Sequence, residues 1–315
     1  MATTRNDIQG FNSGKSLNES INDVMNAKTS RASKRNDLIK LGLREGDIQY
    51  IFSQYAVHVE RREKSDFDFS KLTFGVEIEC YNVIRQQLIE NATASGLRVR
   101  SEGYNHEDNS HYYKIVSDGS LTGNDTQEVV SPVLKGKRGL NSLKSLCDSL
   151  ASVGAKVNRS CGLHVHIGAA AMSDEHYCRL VRNYQMLEMA IDSFMPESRR
   201  GNNNGYCKSL ANLSLNHCNT KRDMFEVTAD RYYKVNMAPA YHRHGTIEFR
   251  QHSGTTDYEK ISHWVMFLAK LVEYSYKNEL TGHVTIIEDI PFLTKQEKMY
   301  FTDRRNHFDA NRAAL

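Results

Sequence analysis

The chain has 315 residues, of which 39% are hydrophobic and 25% charged, a balance that excludes disorder along its whole length and allows a sizeable core. Lys and Arg number 41 against 38 Asp and Glu, a net charge of +3, so generic nucleic-acid binding through bulk positive charge is excluded. The start, MATTRNDIQG, is polar, and the most apolar stretch, Trp264 to Leu271, is short and broken by Lys270; a cytoplasmic chain with no membrane span is expected.

Residues 1–36 are rich in Asn, Ser, Thr, Lys and Arg and show no clear period, which predicts a polar, disordered arm. Residues 37–70 follow as a helical hairpin and charged linker. Leu38, Ile39, Leu41 and Leu43 precede Gly46, Asp47 can cap a second segment through Ile48, Ile51, Phe52 and Tyr55, and Glu60 to Asp68 is charged. A catalytic domain is expected over residues 71–315, with a C-terminal helical extension. Within it, Leu140, Leu143, Cys147 and Leu150 mark a helix from Gly139 to Ser152, stopped at Gly154. Ser173 should cap a second helix that buries Tyr177, Val181, Tyr184, Leu187, Ile191 and Phe194 and ends before Pro196. Thr256 to Glu259 reads as a capping box for a third, and Thr294 with Glu297 starts a fourth. The six cysteines, at 80, 147, 161, 178, 207 and 218, form no CxxC pair, so reduced thiols and no structural zinc are expected.

Chemistry concentrates in strands patterned alike. Alternation puts Glu77 and Glu79 on one face of Phe74 to Cys80, His164 and His166 on one face of Gly162 to Gly168, and Glu248 and Arg250 on one face of Thr246 to Gln251. Gln127 to Pro132 offers Glu128. Any one of these segments reads as a solvated strand face. Together they predict an α+β fold: a largely antiparallel sheet with helices on one face and a carboxylate- and imidazole-rich active site on the other. Four close carboxylates repel, and Mg²⁺ or Mn²⁺ would relieve the conflict. Arg250 does not suit a bare metal cage, but it suits metal with phosphate, which points to phosphoryl transfer from a nucleotide. No GxxxxGK[ST] or GxGxxG sequence is present. The loop from Arg199 through Arg200 and Asn202 to Lys208 is therefore the candidate nucleotide contact, and Asp118 sits in a turn by composition.

Five motifs in order resemble those of the amidoligase family. They are Phe74 to Glu79, Asp118 to Leu121 with Glu128 to Pro132, Cys161 to Ile167, Arg200 to Lys208, and Gly245 to Arg250. The resemblance covers roughly residues 72 to 275. It implies a glutamine-synthetase-like sheet and an ATP-dependent carboxylate–amine ligase using Mg²⁺ or Mn²⁺. It also implies Glu77, Glu79, Glu128, His164 and Glu248 as metal ligands, His166 for substrate or nucleotide, and Arg250 for the transferred phosphate. The partners would be a small-molecule or peptide carboxylate and an amine, and relatives with active sites between subunits leave a homo-oligomer open. Two other readings compete: a metal-dependent hydrolase using the His and Glu cluster, and a non-catalytic binding module that keeps the fold.

Overall fold

The computed structural model describes residues 17–27, 31–49, 51–52, 68–103, 111–228, 230–242 and 245–313. The chain divides into two compact units, Met1–Ser65 and Asp66–Leu315. In the first, α1 (Leu17–Asn26), α2 (Arg31–Lys40) and a further helical stretch over residues 45–49 enclose a small core of Met25, Leu38, Leu41, Ile48 and Phe52. The arm expected over 1–36 therefore contains one helix and most of another. Ile21, Val24 and Met25 are spaced to form one stripe and pack into that core. Residues 1–16 and 28–30 of the arm, and most of the expected linker, lie outside the described residues.

The second unit is built on a mixed fold with an open, mostly antiparallel sheet. Its strands are β1 (Thr73–Cys80), β2 (Val99–Ser101), β3 (Tyr113–Val116), β4 (Gln127–Val130), β5 (Leu134–Lys135), β6 (Gly162–Gly168), β7 (Val235–Asn236) and β8 (Thr246–Ser253). They run in the order β2-β3-β4-β1-β6-β8-β7, with β5 also on β1, and only β2 and β3 pair in parallel among the described strands. Three long helices cover one face: α4 (Gly136–Ser152), α5 (Asp174–Ser193) and α8 (Tyr258–Lys277). Their Leu143, Leu146, Val181, Leu187, Trp264 and Leu268 share one core with Val76, Ile78, Val165, Ile167, Ile247 and Phe249. Burying each such side chain contributes roughly 1.5–3 kcal/mol, so this half of the alternating pattern faces the helices and the Glu/His half faces away.

Caps set the helix ends. Ser173 Oγ accepts from His176 N at 3.2 Å at the start of α5. For α8 the cap is Asp257, one residue later than the Thr256 box, because its carboxylate accepts from both Glu259 N and Lys260 N. Thr294 and Glu297 cap each other reciprocally at the head of α9 (Lys295–Ala313). α4 begins at Gly136, three residues before the expected start, with a left-handed φ of +50° and no room for a Cβ against Ser70 Cα at 2.9 Å. Three shorter helices lie outside the expectation: α3 (Arg85–Ala94), α6 (Lys221–Val227) and α7 (Ala238–His242). All six cysteines are buried, none in a disulfide. No helix among the described residues is long and apolar enough to cross a membrane.

Candidate active site

The register of the central strands assembles the site. Across β1, Glu77 stands opposite His164 and Glu79 opposite Glu128. Across β8, Glu248 stands opposite His166 on one side and Asn236 on the other. The uncovered face of the sheet becomes the floor of a cleft of about 1200 Å³, lined by Glu77, Glu79, Glu128, His164, His166, Glu248 and Arg250.

Both histidines converge on one carboxylate. His164 Nδ1 lies 2.9 Å from Glu77 Oε2, and His166 Nε2 lies 3.2 Å from Glu77 Oε1. His164 Nε2 also faces Glu79 Oε1 at 3.7 Å, and the other oxygen of Glu79 accepts from Gly162 N at 2.5 Å. Glu248 is held from two sides: Arg250 Nη1 donates to its Oε1 at 2.5 Å and Asn236 Nδ2 to its Oε2 at 2.6 Å. His166 is oriented by Thr246 Oγ1 at 3.2 Å.

Electrostatics follow from this crowding. Burial alone would raise the Glu77 carboxyl, but the charge of His166 and the hydrogen bonds of both histidines hold it well below the usual carboxylate range. Burial works against Glu248 too, and Arg250 and His166 overcome it, keeping that carboxyl low. Burial would lower His166, yet the Glu77 and Glu248 charges raise it above its ordinary value. The Glu128 carboxyl moves the other way. Burial, then the charges of Glu77, Glu79 and Asp118, push it up to about 9. Four glutamates, Glu77, Glu79, Glu128 and Glu248, thus crowd on one face, an arrangement that a divalent cation relieves. Glu77, His166 and Glu248 each offer one donor atom within 4.8 Å of the others. Two carboxylates and one imidazole form a donor set suited to Mg²⁺ or Mn²⁺.

Residues 70–272 match a family whose description is "Putative amidoligase enzyme". The chain belongs to this amidoligase family. No curated protein matches it. The match covers the whole sheet and the cleft, and it marks the chain as of a ligase-type enzyme family.

Not all the amidoligase site residues expected from sequence meet in the cleft. Arg199 lines it, buried, with Nη2 donating to Cys161 O at 2.6 Å and its Nε without a hydrogen-bond partner. Three other members of the candidate nucleotide loop are placed elsewhere. Arg200 binds the carbonyls of Met195 and Ser193 at the exit of α5, Asn202 Oδ1 accepts from Ser209 N, and Lys208 is ion-paired with Asp230. The loop instead turns Asn203, Asn204, Gly205 and Tyr206 into the cleft. Both histidines lie among the carboxylates: His166 shares the three-donor group with Glu77 and Glu248, and His164 Nδ1 lies 2.9 Å from Glu77 and 3.5 Å from Glu248.

Residues missed in the sequence also line the cleft, among them Lys114, Arg159, Arg231, Tyr232 and Asn236. Lys114 carried a signal, a lysine inside the otherwise apolar Tyr113 to Val116. The others reach the cleft only through the tertiary fold.

Proposed function

We propose that this amidoligase-family chain is an ATP-dependent carboxylate–amine ligase on a glutamine-synthetase-like sheet. The supporting observation is the junction of two chemistries on one face: the donor group of Glu77, His166 and Glu248, with Arg250 bonded directly to Glu248. Bound Mg²⁺ or Mn²⁺ would offset triphosphate charge there. Arg250, anchored through Nη1 on Glu248 and Nε on Tyr206 O, presents its guanidinium to the phosphoryl group in transfer. Arg199 adds a second buried guanidinium. His164 orients Glu77, and Asn236 orients Glu248.

In this reading a carboxylate oxygen of the acid substrate bonds to the γ-phosphorus as the bond from phosphorus to the bridging oxygen of ADP breaks. The amine nitrogen then bonds to the acyl carbon, inorganic phosphate leaves, and a proton is released. The products are an amide, ADP and phosphate.

The test is ADP release with Mg²⁺ across a panel of acids and amines, with mass spectrometry of the ligated product. Glu77→Gln and Glu248→Gln should each lower turnover by about 100-fold or more and weaken Mn²⁺ binding in calorimetry. Undiminished turnover by both variants would refute the ligand assignment. Product release without any nucleotide would refute the ligase reading and favour a hydrolase.

A further inference from the structure

The rim of the cleft carries two tyrosines that the chemistry described so far leaves unused. Tyr206 and Tyr232 both line it, with ring centroids 5.2 Å apart and an interplanar angle of 83°. Tyr232 is approached by two guanidiniums, whose central carbons lie 5.1 Å (Arg231) and 6.0 Å (Arg250) from its ring centroid. Tyr206 is the open ring of the pair, 54% exposed. Backbone contacts fix both. Lys208 N donates to Tyr232 O at 2.7 Å and Lys234 N to Lys208 O at 2.8 Å, so the loop after α5 lies alongside residues 232–234. The ion pair of Lys208 with Asp230 ties the same two segments together, and Asn204 Oδ1 accepts from Tyr206 N at 2.9 Å. Tyr206 O in turn accepts from Arg250 Nε at 3.4 Å.

This corner has the chemistry of a nucleobase seat. A flat heterocycle gains from stacking on an exposed aromatic ring, whatever donors and acceptors its edge carries. The second ring, standing nearly at right angles, closes one side of the seat. A ring held in place before the ligand arrives also loses little freedom on binding. Arg250 ties the corner to the phosphates, because one guanidinium holds both Glu248 of the donor group and the Tyr206 backbone. The occupant is therefore a molecule whose phosphates reach Arg250. From Arg250 to Tyr232, and from Tyr232 to Tyr206, are two short steps that the sugar and phosphates of a nucleotide bridge. No GxxxxGK[ST] or GxGxxG sequence cradles the phosphates, so side chains of the cleft must supply the affinity. We propose that Tyr206 stacks on the base of the nucleotide and that Tyr232 flanks it. This rests on the ligase reading for the presence of a nucleotide.

The test titrates the full chain calorimetrically, with Mg²⁺, using a non-hydrolysable ATP analogue and separately inorganic tripolyphosphate, which carries the phosphates without the base. The analogue should bind at least about tenfold more tightly than tripolyphosphate. Tyr206→Ala should weaken binding of the analogue by about tenfold or more and leave tripolyphosphate binding unchanged. Tyr206→Phe keeps the ring and should bind both probes as the wild type does. Undiminished binding of the analogue by Tyr206→Ala would overturn the base seat and leave the ligase reading standing. So would equal losses for analogue and tripolyphosphate, or a loss in Tyr206→Phe as large as that in Tyr206→Ala. Binding of neither probe by the wild type would refute the ligase reading, and the base seat would fall with it.

Discussion

Replacing Lys234 by Met should unbalance the ion cluster behind the catalytic face. The side chain of Lys234 is fully buried, with Nζ 2.7 Å from Glu188 Oε1 and 2.6 Å from Asp192 Oδ1. Both carboxylates also hold the loop that follows α5: Glu188 Oε2 accepts from Leu210 N and Asp192 Oδ2 from Gly201 N, each at 2.8 Å. Gln251 of β8 donates to Asp192 and accepts from Tyr184 OH at 2.5 Å, so sheet, helix and loop meet at this point. Burial keeps the Asp192 carboxyl above its ordinary range even with Lys234 beside it. Lys234→Met removes the cation that the two carboxylates share and strands the buried Glu188 and the partly buried Asp192, which should cost about 3–5 kcal/mol. Adding Glu188→Gln and Asp192→Asn keeps acceptors for the two loop N–H groups while removing the stranded charge, and should recover most of that loss. Urea unfolding followed by the fluorescence of Trp264, the single tryptophan and fully buried in the core of this unit, measures both changes. A loss below about 1 kcal/mol, the scale of an exposed pair, would refute the reasoning. So would a triple variant no more stable than the single one.

Two further outcomes follow from groups outside the cleft. His252 is buried against Trp264 and Arg304, donates Nδ1–H to Ser253 O at 2.7 Å, and is pushed down to about 3 by burial and the Arg304 charge. Above pH 6.5 it is neutral folded and unfolded. Below that, the unfolded chain takes up a proton that the folded chain refuses, so stability should fall by about 1.4 kcal/mol per pH unit toward pH 3. Comparing unfolding free energies of wild type and His252→Gln between pH 7 and 5 isolates this slope, and parallel curves would refute it. Gly254→Ala would place a Cβ 2.5 Å from the Cys161 Cβ and 2.9 Å from its carbonyl. A thermal or urea melt should show a loss of about 1–3 kcal/mol, whereas Gly75→Ala should stay within about 0.5 kcal/mol. Equal stabilities for the two glycine variants would refute the contact argument.

What could be read from the sequence divides along physical lines. Period-two alternation is a local property, so Glu77, Glu79, His164, His166, Glu248 and Arg250 were legible as one face, and the apolar stripes of α4, α5 and α8 as its cover. α3 was not legible, because its sequence RQQLIENATA buries only Leu88 and Ala92 and offers almost no stripe. The loop after α5 was legible as a segment but not residue by residue. Its composition cannot show that Arg200, Asn202 and Lys208 are engaged by nearby carbonyls, an amide and Asp230, which leaves Asn203 to Tyr206 for the cleft.

The bulge in β8 marks the sharpest limit. Leu163 pairs with His252, yet Val165 pairs with Phe249, so β8 carries one extra residue opposite His164. Strict alternation would send His252 to the catalytic face after Arg250. The extra residue instead lets Gln251 and His252 both be buried, one on Asp192 and Tyr184, the other beside Trp264. The same register places the two histidines: His164 lies opposite Glu77 and His166 opposite Glu248, and each imidazole comes within 4.0 Å of both carboxylates. The local pattern therefore selects the residue types on the face. The partner strand decides which of them stand together.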